Sequence, residues 1–279
     1  MVRIEDHRLI TGKGKFTANI RPTEALVVKF VRSPIACGVI RSIDIRDAKS
    51  MPGVVNIFTA QDMAADGVTH MLDTAKPVRD DGGTVINPRR PILNSSDIKH
   101  LGEPIAIIIA QTSEQADNAL EAIFVDYSDS DSALLSSENT DSPLVWPEGQ
   151  DNYASYHHVG DATKLQEAEA NAAHLITVPI HISRITAVAM EPRISLCDID
   201  PEGKLIFTTS SQNPFALRAE IMKTFSLETA NIQVIAPDVG GSFGMKGTLY
   251  REDAALIWAS RKIGRALCWS ASRSEAFIS

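Results

Sequence analysis

The sequence predicts an α+β protein built in two halves, on three observations. Short stretches of strand character alternate with helical patterns that carry capping residues. A polar, turn-rich stretch, SDSDSALLSSENTDSPLVWPEGQ, interrupts the chain from Ser128 to Gln150. A glycine-dense loop, DVGGSFGMKG, joins a strand to a helix from Asp238 to Gly247.

In the first half, GVIRSIDI (Gly38 to Ile45) alternates apolar and polar residues as a half-buried strand does. Met51-Pro52-Gly53 is a turn, and a second strand follows from Val54 to Phe58. Ile105 to Ala110 is apolar throughout, which predicts a strand covered on both faces. Thr112 caps the next helix, with Gln115 as its capping-box partner and Ala116, Ala119, Leu120 and Ile123 on one apolar stripe. A strand from Phe124 to Tyr127 follows, so that strand, helix and strand are read as one α/β unit. Trp146 is expected to pin the polar stretch to a neighbouring surface.

The second half opens with a helix capped by Asp161 and running to about Asn171. HLITVPIHIS (His174 to Ser183) alternates as a strand, with Pro179 marking an edge or a bend. ISLCDID and KLIFTTSS flank Pro201-Glu202-Gly203 and predict a hairpin. Asn213 and Pro214 open a helix whose Leu217, Ile221 and Phe225 share a face. A strand from Ile232 to Pro237 enters the glycine loop, and a helix from about Tyr250 to Ile263 leaves it, stopped by Gly264.

With 27 basic and 35 acidic residues the net charge is −8, which leaves no surplus to neutralise phosphates and argues against nucleic-acid binding. No apolar run is long enough to span a bilayer, and the N-terminus lacks the apolar core of a signal peptide, so a cytoplasmic location is expected. Cys37, Cys197 and Cys268 stand far apart and are expected to be thiols, building neither a disulfide framework nor a metal or iron–sulfur site. His157 and His158 are adjacent, point different ways and make poor joint ligands; no metal-binding residue is assigned.

Residue chemistry leaves the glycine loop with two readings. Bare backbone before a helix N-terminus cradles an anionic ligand, or the loop is a tight structural turn. It lacks the spacing of a P-loop, because Met245 separates Gly244 from Lys246 and no Ser or Thr follows Lys246. Phe243 sets a flat apolar surface beside that backbone. Gln212, in SSQNP at a strand end, carries an amide donor and an acceptor; on spacing alone it is a surface residue beside a helix cap. Glu191 and Arg193, in MEPR, are read as a structural ion pair.

Taken together, RIEDHRLITGKGKF, FVRSPIACGVIRSID, MPGVVNIFTAQD, LGEPIAIIIA, HVGD, MEPR, SSQNPF, DVGGSFGMK and CWSASRSEAF resemble, in this order, the molybdopterin-binding large subunit of the xanthine dehydrogenase and aldehyde oxidase family. The similarity leans toward carbon monoxide dehydrogenase large subunits. It implies an α/β-hammerhead domain over residues 1–130, a linker over 131–150 and the N-terminal portion of a molybdopterin-binding domain over 151–279. It assigns the cofactor to Gln212, Gly240, Gly241, Phe243 and Gly244. Gln212 would offer its amide to an oxygen ligand of molybdenum, Phe243 and Gly244 would lie against the metal end, and Gly240 and Gly241 would shape the loop. The cofactor implied is molybdopterin cytosine dinucleotide, with iron–sulfur clusters and FAD on partner subunits. The reaction implied is hydroxylation of an aldehyde or N-heterocycle with oxygen from water. The family's catalytic glutamate has no counterpart up to Ser279, so no catalytic residue is assigned and a complementary molybdopterin-binding chain is expected to supply it. Half a domain cannot bury its own core, so the second half should expose a large apolar face. The alternative is a truncated, non-catalytic remnant acting as an interaction module. Cys37 stands where the family usually has histidine.

Overall fold

The computed structural model describes residues 3–72, 77–133, 141–183 and 185–278. The first half comprises α1 (Asp6–Ile10), β1 (Leu26–Arg32), β2 (Gly38–Asp44), α2 (Arg46–Lys49), β3 (Val54–Thr59), α3 (Ala60–Ala65), β4 (Asp97–Ile98), β5 (Pro104–Ala110), α4 (Ser113–Glu121) and β6 (Phe124–Asp129). The second comprises α5 (Ala162–Asn171), β7 (Ile194–Ile199), β8 (Leu205–Thr209), α6 (Pro214–Phe225), β9 (Ile232–Ile235), α7 (Arg251–Ile263), β10 (Leu267–Ser270) and α8 (Glu275–Ile278). Part of the predicted linker, residues 134–140, lies outside the described residues.

Seven strands form one sheet in the order β3-β5-β1-β10-β7-β8-β9, and β4-β2-β6 form a smaller one. The larger sheet crosses from one half to the other where β1 pairs in parallel with β10, Leu26 beside Leu267 and Val28 beside Trp269. β5 is buried along its whole length because both of its faces are covered. Ile107 and Ile109 join the core that holds Phe207, Leu256 and Trp269. Ala106, Ile108 and Ala110 join a second core with Ile40, Ala116 and Ala119 of β2 and α4. A period-two side-chain pattern with two apolar environments produces that continuous apolar run.

The predicted caps are present. The Thr112 hydroxyl accepts from the Gln115 N–H and the Gln115 Oε1 accepts from the Thr112 N–H. Asp161 accepts from the Lys164 N–H, and Asn213 from that of Ala216. Gly264 ends α7 with φ 64°, which glycine adopts at little cost. The β7–β8 hairpin turns at Gly203, φ 83°. Lys99 Nζ lies 5.2 Å from the Trp146 ring centroid, so Trp146 does hold the polar stretch to the first half.

Two elements differ from expectation. β5, α4 and β6 do not share a sheet: β6 leaves the large sheet's neighbourhood and pairs antiparallel with β2, because the half-buried faces of those two strands match each other. Residues 174–183 form no strand. Their alternation is real, but a strand needs a neighbour to take its N–H and C=O groups. Among the described residues none is placed beside them.

A buried charge cluster at the start of α7 joins the halves. Arg32 of β1 meets Glu252 at 2.7 Å and Glu275 at 2.9 Å. Arg193 lies 3.7 Å from Glu252 and 3.7 Å from the Tyr250 ring centroid. Next in sequence, Arg251 pairs with buried Glu103 at 3.1 Å. Burial works to raise the Glu252 carboxyl, yet Arg193 and Arg32 together hold it below its ordinary range. Asp253 lacks so direct a cation. Burial pushes it up to about 6 against bonds from the Ser195 hydroxyl at 2.6 Å and the Tyr250 N–H.

Removing one member of such a cluster leaves the opposite charge buried and unpaired. Arg32→Met should therefore cost about 3–5 kcal/mol in urea unfolding, against near-neutrality if the pairs are incidental. Asp253 gives a pH test. Its proton is held more tightly in the folded chain than in the unfolded one, so stability falls as pH rises through about 4 to 6 and the penalty is complete above that. Asp253→Asn should gain about 3 kcal/mol relative to the unsubstituted chain between about pH 4 and pH 8. An unchanged difference at the two pH values would show an ordinary carboxyl.

Candidate functional site

The glycine loop runs from the end of β9 to the N-terminus of α7 and is fixed from three sides. Asp238 at its entry accepts both guanidinium nitrogens of Arg8, and the Lys15 N–H at 2.7 Å. The Arg8 side chain and the Lys15 N–H hold that carboxyl down at about 2. Inside the loop, Glu191 Oε2 accepts from the Gly240 N–H at 2.9 Å and from buried Lys246 Nζ at 2.8 Å. The Gly240 carbonyl accepts from the Glu191 N–H. The exit is held by the Tyr250 hydroxyl, which donates to the Met245 carbonyl at 2.8 Å.

Glu191 and Arg193 are thus not paired with each other. Glu191 turns to Lys246 and Arg193 to Glu252. Lys246 is a strut, its charge consumed in holding the loop. The Glu191 carboxylate is likewise consumed on one oxygen, and among the described residues no donor reaches the other.

Backbone shape explains the residue types. Gly241 and Gly244 have φ of 96° and 97°, conformations that strongly favour glycine, and Phe243 is left-handed at 54°. At Gly240 a Cβ would stand 2.5 Å from Glu191 Cβ, so no side chain fits. Among the described residues the N–H groups of Gly241, Phe243 and Gly244 find no protein acceptor, while Phe243 presents its ring to solvent at 78% exposure.

Gln212 lies against this loop. Its N–H donates to the Lys246 carbonyl at 2.9 Å, and a Cβ on Gly247 would come 3.6 Å from its Oε1. The structure therefore brings Gln212 together with the loop of Gly240, Gly241, Phe243 and Gly244. Gln212, Phe243 and Gly244 are exposed and Gly240 and Gly241 half-buried, so the five form an open surface. A cavity of about 770 Å³ lies nearby, between the first half and residues 248–252, lined by His70, Lys99, Trp146 and Arg251 among others, and includes none of the five. His157 is committed to Asp80, at 2.7 Å. Among the described residues no group of three metal-ligating side chains converges. The three cysteines are thiols, with Cys197 pushed up to about 12 by burial.

Comparison with known proteins decides the family. Residues 11–131 match the model described as aldehyde oxidase and xanthine dehydrogenase, a/b hammerhead domain, and residues 145–279 match that of the molybdopterin cofactor-binding domain. The chain belongs to the xanthine dehydrogenase and aldehyde oxidase family. Its seven-stranded sheet thus joins the hammerhead domain to the molybdopterin-binding domain. The chain is similar to the nicotine 6-hydroxylase large subunit of Paenarthrobacter nicotinovorans, 28% identical over 99% of this chain and 33% of that protein. It superposes on quinoline 2-oxidoreductase from Pseudomonas putida 86 with a TM-score of 0.87 and 27% identity, covering 99% of this chain and 35% of that one. The chain thus spans about a third of the length of these relatives. Against the nicotinate dehydrogenase large molybdopterin subunit of Eubacterium barkeri, 25% identical over 88% of this chain, it spans 54%. The relatives it matches therefore differ in length.

What sequence reasoning missed is the support beneath the site. The Glu191–Lys246 strut and the Arg8–Asp238 clasp join residues 55 and 230 positions apart, and only the presence of opposite charges in each motif hinted at them. Gly240→Ala should displace the Glu191 strut and cost about 1–3 kcal/mol in denaturant unfolding. Gly247→Ala, whose nearest neighbours would be 3.4 and 3.6 Å away, should cost less than about 1 kcal/mol. Equal costs would show that the strut does not govern the loop.

Proposed function

We propose that this chain forms one wall of the cofactor site of a molybdenum hydroxylase. The observation that carries the reading is that Gln212, hydrogen-bonded to Lys246, lies beside a loop in which the N–H groups of Gly241, Phe243 and Gly244 find no protein acceptor among the described residues. This donor set suits an oxygen-rich, anionic ligand with one flat face. Gln212 would present its amide to an oxygen at the metal end, Phe243 and Gly244 would lie against that end, and Gly240 and Gly241 would admit the ligand close to the backbone. Molybdopterin, as the cytosine dinucleotide, is the cofactor proposed; when bound, it supplies oxidation of an electron-poor C–H or an aldehyde with oxygen taken from water.

The substrates named by the relatives, nicotine, quinoline and nicotinate, favour an N-heteroaromatic substrate over an aldehyde. Three carboxylates at the loop are committed to other partners: Glu191 to Lys246, Asp238 to Arg8, and Glu220 to Thr248 and Leu249. The proton-transferring glutamate is therefore proposed to come from a complementary molybdopterin-binding polypeptide, and the iron–sulfur clusters and FAD from further partner subunits. The openness of the five-residue surface supports the same division.

Metal and pterin analysis of the chain purified with its retained partners tests the reading. Roughly one molybdenum and one pterin per chain are expected, with CMP released on hydrolysis. Gly244→Val, which puts a branched side chain at φ 97° beside the ligand face, should abolish cofactor retention while leaving the partners bound. A complex free of molybdenum, or a Gly244→Val complex loaded like the original, would contradict the assignment.

A further inference from the structure

The MEPR motif supplies a support that reaches two parts of the candidate site at once. Glu191 and Lys246 are both withdrawn from water, with side chains 14% and 1% exposed, and meet at 2.8 Å. Such a pair is weak evidence of added stability, because taking two charges out of water offsets most of their attraction. Apolar side chains of similar size would fill the same space without that cost. What distinguishes the pair is the backbone that each member holds.

Glu191 holds the start of the glycine loop. Its Oε2 accepts from the Gly240 N–H at 2.9 Å, and its own N–H donates to the Gly240 carbonyl at 3.1 Å. The segment leading to it is anchored independently. Arg273 donates to the carbonyls of Ala189 and Met190 at 2.7 and 2.9 Å. Glu191 is thus set by the fold and not by the loop it supports.

Lys246 holds Gln212. Its carbonyl accepts from the Gln212 N–H at 2.9 Å, while its own N–H donates to Ser242 Oγ at 3.1 Å. Among the described residues no hydrogen bond links Gln212 directly to Gly240 or Gly241. The route from Gly240 to Gln212 therefore passes through the Glu191–Lys246 pair. A lysine in a glycine-rich loop can instead meet an anion itself. Lys246, buried and turned onto Glu191, does not.

We propose that Glu191 and Lys246 are positioning residues, whose ion pair sets the distance between the Gln212 amide and the glycine loop so that both meet one ligand. That this ligand is the molybdenum cofactor rests on the function proposed above; the tie rests on the contacts around the pair. Neither residue touches the ligand. The pair adds no net charge to the surface, so the loop N–H groups and the Gln212 amide carry the recognition.

The test compares variants of the molybdenum-loaded protein purified from its source cells. Glu191→Gln keeps an oxygen for the Gly240 N–H and strands no carboxylate; the buried lysine sheds its proton and still donates. In that background Lys246→Met removes the tie alone, because methionine matches the unbranched stem of lysine. Cofactor retention through gel filtration should stay within about threefold of the parent for Glu191→Gln and fall at least about 10-fold when Lys246→Met is added. In the double variant the Gln212 N–H should exchange at least about 10-fold faster, with Gly240 and Ile105 to Ala110 within about threefold of the parent. The electron paramagnetic resonance of the reduced metal shows whether Gln212 is the route. The double variant and Gln212→Ala should shift it alike, and all three substitutions together should shift it no further. Shifts that add, or a double variant with its cofactor and spectrum unchanged, would overturn the positioning role and leave the cofactor reading standing. Equal acceleration of exchange at Gln212 and across Ile105 to Ala110 would overturn it in favour of a general structural role. A parent protein without molybdenum or pterin would overturn the cofactor reading and with it the ligand named here, whatever the exchange at Gln212.

Discussion

Glu252 is withdrawn from water at the first turn of α7, and the structure tolerates it only because Arg32 and Arg193 flank it from the two halves of the chain. That cluster fixes where α7 begins, and α7 begins where the glycine loop ends. The parallel pairing of β1 with β10 runs beside it and carries the sheet from the hammerhead domain into the molybdopterin-binding domain. A rigid seam of this kind lets a loop be shaped by contacts far from it in sequence, such as the Arg8–Asp238 clasp. The loop is thereby held in shape by the fold itself, and a backbone ordered in this way lowers the ordering cost of any ligand it takes.

The site itself divides into support and surface. Glu191 and Lys246 neutralise each other beneath the loop, and their burial leaves the outward backbone free of side-chain competitors. Above them lie Gln212, the glycines and Phe243, which offer donors and a flat ring but no free carboxylate.

Much of this was legible locally. Thr112 with Gln115, Asp161, Asn213 with Pro214, and Gly264 each mark a helix end through chemistry confined to a few residues, and all four ends are where the caps predict. The two-faced burial of β5 follows from its unbroken apolar run. β1 was not legible, because Lys29 and Arg32 interrupt its apolar pattern although the Arg32 side chain is only 8% exposed. β10, four residues long, gives too short a pattern to read, and its pairing with β1 across about 240 positions has no local signal at all. Residues 174–183 fail in the opposite sense: the pattern is clear, but strand formation depends on a partner. The convergence of Gln212 with the loop came from family resemblance, since spacing alone favoured a surface glutamine; the Gln212–Lys246 backbone bond places the two side by side.

A crystal structure of the assembled, molybdenum-loaded complex would show directly whether Gln212 and the glycine loop hold the cofactor. The Gln212 amide should lie within hydrogen-bonding distance of an oxygen at the metal end, with backbone N–H groups of the 240–244 loop directed at the same cofactor. A cofactor bound out of reach of Gln212, or a loop covered by protein with no ligand against it, would contradict it.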